Sequence, residues 1–410
     1  MDRLCPPSGD SQESALTLGE ILRACLSCVQ QSLPLGARPL RVLRQLAGCG
    51  TFELGAHVLE CDRCHQRHWA PRSCGNRHCP RCLAAKSRQW LQQQVASLLP
   101  VTYYHAVFTL PPPLHRLVQL NPTPLYALFF DAATEALLQF GRNRLGGELG
   151  LTAVLHTWGQ QLNFHPHLHC IVTGGALRAD ASRWRWPKQR KFLFPVRALA
   201  ALFRGKFLAG LKALLDDAHH PLRLPDARWK DPLQRARQLS GLYAQGWHLH
   251  VKRPWGGPEQ VLAYLAHYTH RVALSNRRLV GFDAAHSTVT FTYRDYRHGS
   301  AVKHLSLSAV EFIRRFSWHI LPQGLVRIRH YGILSNNRRH RDIPIARSVI
   351  HQQARRSSSS TVTATALVPA TPVPPSRCCP HCGSQNLRWI GFIDARGRSH
   401  FPQSARWDSS

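Results

Sequence analysis

The sequence predicts an α+β protein: an antiparallel sheet with flanking helices, preceded by a small metal-binding module. Three patterns point there. Two apolar, β-branched runs, residues 151–158 and 162–172, are separated by Gly159, Gln160 and Gln161, as a hairpin requires. Residues 125–140, 197–216 and 231–244 have helical character, the first with apolar residues at helical period. Residues 49–82 are short, polar and rich in Cys, His and Arg, with little to bury without a metal.

At 410 residues the chain is long enough for more than one core. The expected division is a helical segment 1–48, a zinc-binding domain 49–99, a main domain 100–345, a linker 346–376 and a cysteine-containing tail 377–410. Lys and Arg number 53 against 22 Asp and Glu, a net charge of +31. Such an excess calls for a polyanion, and phosphate neutralisation makes nucleic acid the leading partner. No run of about 18 apolar residues occurs, so no membrane span is expected. The N-terminus lacks a charged-then-apolar leader, which points to the cytoplasm. Thirteen cysteines, an odd number partly in Cys-x-x-Cys pairs, favour metal binding over disulfides.

Residues 16–31 read as an amphipathic helix with Cys25 and Cys28 on its core face. Cys61 and Cys64 then form one knuckle and Cys79 and Cys82 another, together a four-thiolate set for tetrahedral Zn²⁺. Cys49, His57, Cys74 and His78 are left over and could complete a second zinc site. Arg63, Arg67, Arg72, Arg77 and Arg81 interleave with these ligands, so the module reads as a nucleic-acid grip; four thiolates leave no open position for catalysis. Residues 83–99 read as a helix and 101–111 as a buried strand. Asp131 and Glu135 share a helical face, read as solvated.

The run 162–172, LNFHPHLHCIV, carries His165, His167 and His169. On a strand all three project from one face. His167 and His169 flank Leu168 and are close enough to share a metal, whereas His165 and His169 lie about 13 Å apart. A third ligand must come from elsewhere, and the hairpin brings His156 alongside. Residues 183–197 alternate tryptophan and arginine, suited to base stacking or to a half-exposed hairpin. His248 and His250 read as part of a plain strand, with Lys252 and Arg253 reaching toward DNA. Pro258 and Glu259 open a helix on which Tyr264 and Tyr268 share a face, roughly 6 Å apart at Cβ. His267, His270, Arg271, Arg277 and Arg278 surround them, and the three arginines join Lys252 and Arg253 as expected DNA contacts. Residues 279–334 hold short strands around a helix near 308–319. From about residue 355 the composition is that of a disordered linker. The tail carries Cys379 and Cys382, half a knuckle that is either vestigial or joined to a cysteine elsewhere.

A histidine-held divalent ion and a tyrosine hydroxyl make a coherent phosphoryl-transfer set. At these residues the chain resembles the HUH endonucleases, and more closely the two-tyrosine rolling-circle transposases of the insertion sequence 91 family. The matching segments are AVLHTWGQQLNFHPHLHCIV, PEQVLAYLAHYTHRVALSNRRL and EFIRRFSWHILPQGLVRIRHYG; the CGT…CDRC…SCGNRHCPRC block resembles that family's zinc-binding domain. The resemblance implies an HUH antiparallel sheet and a nickase and strand transferase for single-stranded DNA with hairpin-containing ends. It makes Tyr264 and Tyr268 the nucleophiles and His167 and His169 metal ligands, with His156 or His165 as the third. Mg²⁺ or Mn²⁺ is expected at the histidines and Zn²⁺ at the cysteines. The alternatives are a zinc-dependent DNA-binding protein with an inactive nuclease, and a plasmid replication initiator or relaxase.

Overall fold

The structure, a computed structural model, describes residues 16–83, 98–188, 193–252, 273–296, 298–357 and 378–402. In chain order the elements are α1 (Leu18–Ser32), α2 (Ala37–Ala47), β1 (Ala56–Cys61), β2 (Arg67–Pro71), β3 (Tyr103–Thr109), α3 (His115–Leu120), α4 (Pro122–Phe140), β4 (Glu148–Trp158), β5 (Phe164–Leu177) and β6 (Trp184–Arg185). They continue with α5 (Val196–Asp216), α6 (Ala227–Lys230), α7 (Pro232–Ala244), β7 (Leu249–Lys252), β8 (Leu279–Asp283), β9 (Thr288–Asp295) and β10 (Ala301–Ser308). The last are α8 (Ala309–Ser317), β11 (Ile328–Gly332), α9 (Arg339–Ser357), β12 (Leu387–Ile393) and β13 (Ser399–His400). Among the described residues every strand pairing is antiparallel. The fold is therefore α+β, as the sequence predicts.

The chain forms two compact units: residues 1–86, 274–317 and 366–410, and residues 87–273 and 318–365. Residues 274–317, which carry β8, β9, β10 and α8, belong to the first unit, and their Val289, Phe291, Phe312 and Phe316 are buried. The tail likewise joins the N-terminal unit, where β12 pairs with β1.

The larger unit is built on a sheet of order β11-β4-β5-β3-β7, with β6 paired to β5. β4 and β5 form the expected hairpin; Gly159 N–H donates to the Asn163 carbonyl at 2.9 Å, and buried Leu162 takes a left-handed φ of 59° in the turn. Strand alternation then sorts the side chains by face. Ala106 and Phe108 of β3, Ala153 and Leu155 of β4, and Leu168 and Cys170 of β5 face the helices. There they meet Phe129 and Phe130 of α4 and Phe203 and Phe207 of α5. Burying each such large apolar side chain is worth about 1.5–3 kcal/mol. On the opposite face, Tyr103 and Ile171 pack with Ile343, Ala346 and Ile350 of α9, and the same face carries the histidines further along β5.

In the smaller unit, α1 opens with a capping box, Thr17 and Glu20 each bonding the other's backbone N–H. Cys25 lies on its buried face, as expected, whereas Cys28 is exposed. A four-stranded sheet of order β13-β12-β1-β2 carries the cysteines.

Candidate metal centres

The register of the β4–β5 hairpin sets His156 directly opposite His167 and Val154 opposite His169. One nitrogen from each of His156, His167 and His169 falls within 4.8 Å of the others. Between His156 and His165 as third member, the structure thus brings His156 into the cluster. The ring of His165 lies beside His167, centroids 5.1 Å apart, but outside it.

The donor set fits a metal. His167 Nδ1 is 2.7 Å from the His165 carbonyl oxygen, which can only accept, so Nδ1 carries the proton and Nε2 the lone pair. Burial pushes the His167 pKa down to about 4, which keeps the ring in its neutral, ligating form. His169 Nδ1 lies 2.9 Å from His105 Nε2, so a metal bond would fall to its Nε2. Three neutral imidazoles add no charge of their own, and an ion held there would keep its full positive charge for an incoming phosphate.

Among the described residues eight cysteines form two clusters, not the sets expected. Cys49, Cys74, Cys79 and Cys82 make one; Cys61, Cys64, Cys379 and Cys382 make the other. The predicted Cys61–Cys64–Cys79–Cys82 tetrad is therefore split, and the reason is the β1–β2 hairpin. Cys61 and Cys64 sit at its turn, while Cys49 precedes β1 and Cys74 follows β2, at its open end. Gly50 N–H donates to the Arg72 carbonyl and closes that end. A six-residue strand separates the two ends by about 20 Å, too far for one ion. In the first cluster Cys49 Sγ is 3.6 Å from Cys82 Sγ and 3.5 Å from Cys79 Sγ. Hydrogen bonds from Cys74 and Cys79 hold the Cys49 thiol well below its usual range. His57 and His78, expected in a second zinc site, lie outside both clusters. His57 Nδ1 accepts from Trp389 Nε1 at 3.3 Å, and His78 bonds Asn76.

Other site residues are placed as follows. Tyr264, Tyr268, Arg253 and Arg271 lie outside the described residues. Lys252 lies on β7, its backbone paired with His105. Arg277 is exposed, and Arg278 Nε donates to the Thr292 carbonyl at 2.7 Å with its guanidinium 5.5 Å from the Phe291 ring centroid. Glu135 pairs with Arg142, in keeping with a solvated face. In the tryptophan–arginine run Trp184 is core and Trp186 exposed. Among the described residues no helix is long and apolar enough to cross a membrane.

Two family models match this chain. Residues 150–341 match "Putative transposase" and residues 21–110 match "Transposase zinc-binding domain". The chain is 41% identical over 334 residues to "Putative transposase y4qJ" of Sinorhizobium fredii, covering 81% of this chain and 82% of the relative. The chain belongs to the insertion sequence 91 family of transposases. It is also 29% identical over 310 residues to "Transposase for insertion sequence element IS801" of Pseudomonas savastanoi, covering 73% of this chain and 72% of that protein. Membership makes it a DNA-processing enzyme. The zinc-binding match spans all of the Cys49–Cys82 cluster, so that family assignment and the four-thiol geometry both support Zn²⁺ there.

Proposed function

We propose that this transposase nicks and rejoins single-stranded DNA by metal-assisted tyrosine transesterification, in a rolling-circle route. The observation that carries the reading is the convergence of His156, His167 and His169 from facing strands, with His167 held neutral and oriented. Mn²⁺ or Mg²⁺ bound there supplies Lewis-acid polarisation of the scissile phosphate. The three histidines would hold the ion, and the His165 carbonyl and His105, at Nδ1 of His167 and His169, would leave Nε2 of each ring to ligate it. Tyr264 or Tyr268 supplies the attacking oxygen. A P–O(Tyr) bond forms, the P–O3′ bond breaks, and the proton of the phenol ends on the released 3′-hydroxyl. The 5′-phosphotyrosine conserves the bond energy, and a second tyrosine permits a second cleavage while the first stays occupied. The substrates are hairpin-containing element ends, met in the cytoplasm. Lys252, Arg253, Arg271, Arg277 and Arg278 supply phosphate contacts.

The test is a covalent-adduct assay with labelled single-stranded DNA from the element's own ends and Mn²⁺ or Mg²⁺. The expected result is a labelled band at protein size, lost with chelator and in the Tyr264→Phe/Tyr268→Phe double variant. Tight binding without an adduct would instead establish a zinc-dependent DNA-binding protein with an inactive nuclease. Adducts at a plasmid origin but not at element ends would favour a replication initiator or relaxase.

A further inference from the structure

We infer that Cys61, Cys64, Cys379 and Cys382 form a second structural zinc site, one that only the C-terminal tail can complete. Two of its four ligands lie beyond both segments matched by the family models. Cys61 Sγ is 3.6 Å from Cys382 Sγ, and Cys64 Sγ is 3.6 Å from Cys379 Sγ. Tetrahedral zinc with Zn–S bonds of about 2.3 Å sets its sulfurs about 3.8 Å apart, close to this spacing. Each pair is a Cys-x-x-Cys turn. His68 Nε2 lies 3.2 Å from Cys379 Sγ, where its N–H can donate to sulfur. Four sulfurs close the coordination shell, so the ion's role is structural.

A second, independent feature shows the tail built to dock here. β12 pairs with β1 from Ala56↔Ile393 to Cys61↔Leu387, which delivers Cys379 and Cys382 to the β1–β2 turn. Glu60, buried in the middle strand, faces Arg67 on one side and Arg388 on the other. Its two oxygens accept from Arg67 Nε at 3.3 Å and Arg388 Nη2 at 3.0 Å. The tail brings little apolar surface of its own: among its described residues only Cys379 and Gly391 are buried. A two-stranded β12–β13 ribbon of this kind is marginal alone, so the metal supplies what packing does not. The ligands lie 315 and 321 positions apart in sequence, so the site can close only once the whole chain has been made.

The experiment uses the full-length protein loaded with Co²⁺ in place of zinc, reading the thiolate-to-cobalt charge-transfer absorption, to which a histidine site does not contribute. Cys379→Ser/Cys382→Ser is expected to remove about half of that absorption, and Cys61→Ser/Cys64→Ser to remove the same half, with no further loss when the two are combined. A parallel measurement needs no variant: in the zinc-loaded wild type, Cys379 and Cys382 should resist alkylation together with Cys61 and Cys64, and become reactive with chelator. Exposed Cys28 is the internal reference. Undiminished absorption in the tail variant, or alkylation of Cys379 and Cys382 as fast as Cys28 with zinc bound, would overturn the assignment.

Discussion

His105 Nε2 lies 2.9 Å from His169 Nδ1, and the two rings are parallel, with planes 2° apart and centroids at 5.1 Å. His105 comes from the neighbouring strand β3, so the sheet itself sets the ring of His169. A partner on the far nitrogen fixes the tautomer and orientation of a ligating imidazole, and losing one typically costs roughly 10- to 100-fold in metal affinity. His105→Ala is therefore expected to weaken Mn²⁺ binding by about that factor while leaving zinc content unchanged. Adduct formation should recover at high Mn²⁺. Calorimetric Mn²⁺ titration checks this, and an unchanged affinity would remove His105 from the positioning role.

His156 and His165 should separate cleanly as variants. His156 contributes its ring to the cluster, whereas the contribution of His165 is its backbone carbonyl, bonded to His167 Nδ1. His156→Ala is expected to abolish metal-dependent adduct formation. His165→Ala keeps the carbonyl and should retain most of it. Adduct yield across a Mn²⁺ series distinguishes them, and the reverse order would show that the His165 ring is the true third ligand.

What the sequence made legible here was local. The hairpin, the shared face of His167 and His169 and the approach of His156 all follow from strand alternation about one turn. The cysteine pairing did not follow, because Cys-x-x-Cys spacing says which thiols share a knuckle but not which end of a hairpin the knuckle occupies. Cys379 and Cys382 had no visible partner, since a contact across more than three hundred positions leaves no local pattern. The tryptophan–arginine run is open in sequence between base stacking and a half-exposed hairpin; in the structure Trp184 of β6 packs with the α9 residues while Trp186 is exposed. The unmatched tail pair was the one trace in the sequence: half a knuckle is either vestigial or joined to a cysteine elsewhere.

Leu168, between the two ligating histidines, points the other way and is fully buried among the helices. It anchors the strand that aims His167 and His169. Leu168→Ala leaves a cavity in that core and should cost about 2–5 kcal/mol of stability. Urea denaturation measures it; a loss under about 1 kcal/mol would mean that the strand is held by its ladder alone.

Acid should destabilise the larger unit well before its carboxylates protonate. His319 is buried, with Nε2 donating to the Leu162 carbonyl at 3.1 Å and Nδ1 3.1 Å from the Thr157 hydroxyl. Both nitrogens are thus satisfied by the neutral ring, and burial lowers its pKa from 6.5 to about 4. Burial also lowers His330 to about 4. Between these values the unfolded chain binds protons that the folded one does not, so stability rises with pH across the window. It is fully present above about pH 6.5 and is lost as pH falls toward 4; a shift of this size amounts to on the order of 3 kcal/mol per group. In metal-free protein the urea midpoint should therefore fall steeply from pH 7 to 4.5. His319→Gln should start lower at pH 7, because Gln cannot satisfy both partners in the same geometry, yet decline less over that interval. Parallel midpoint curves for the two proteins would show that His319 does not set the acid limit.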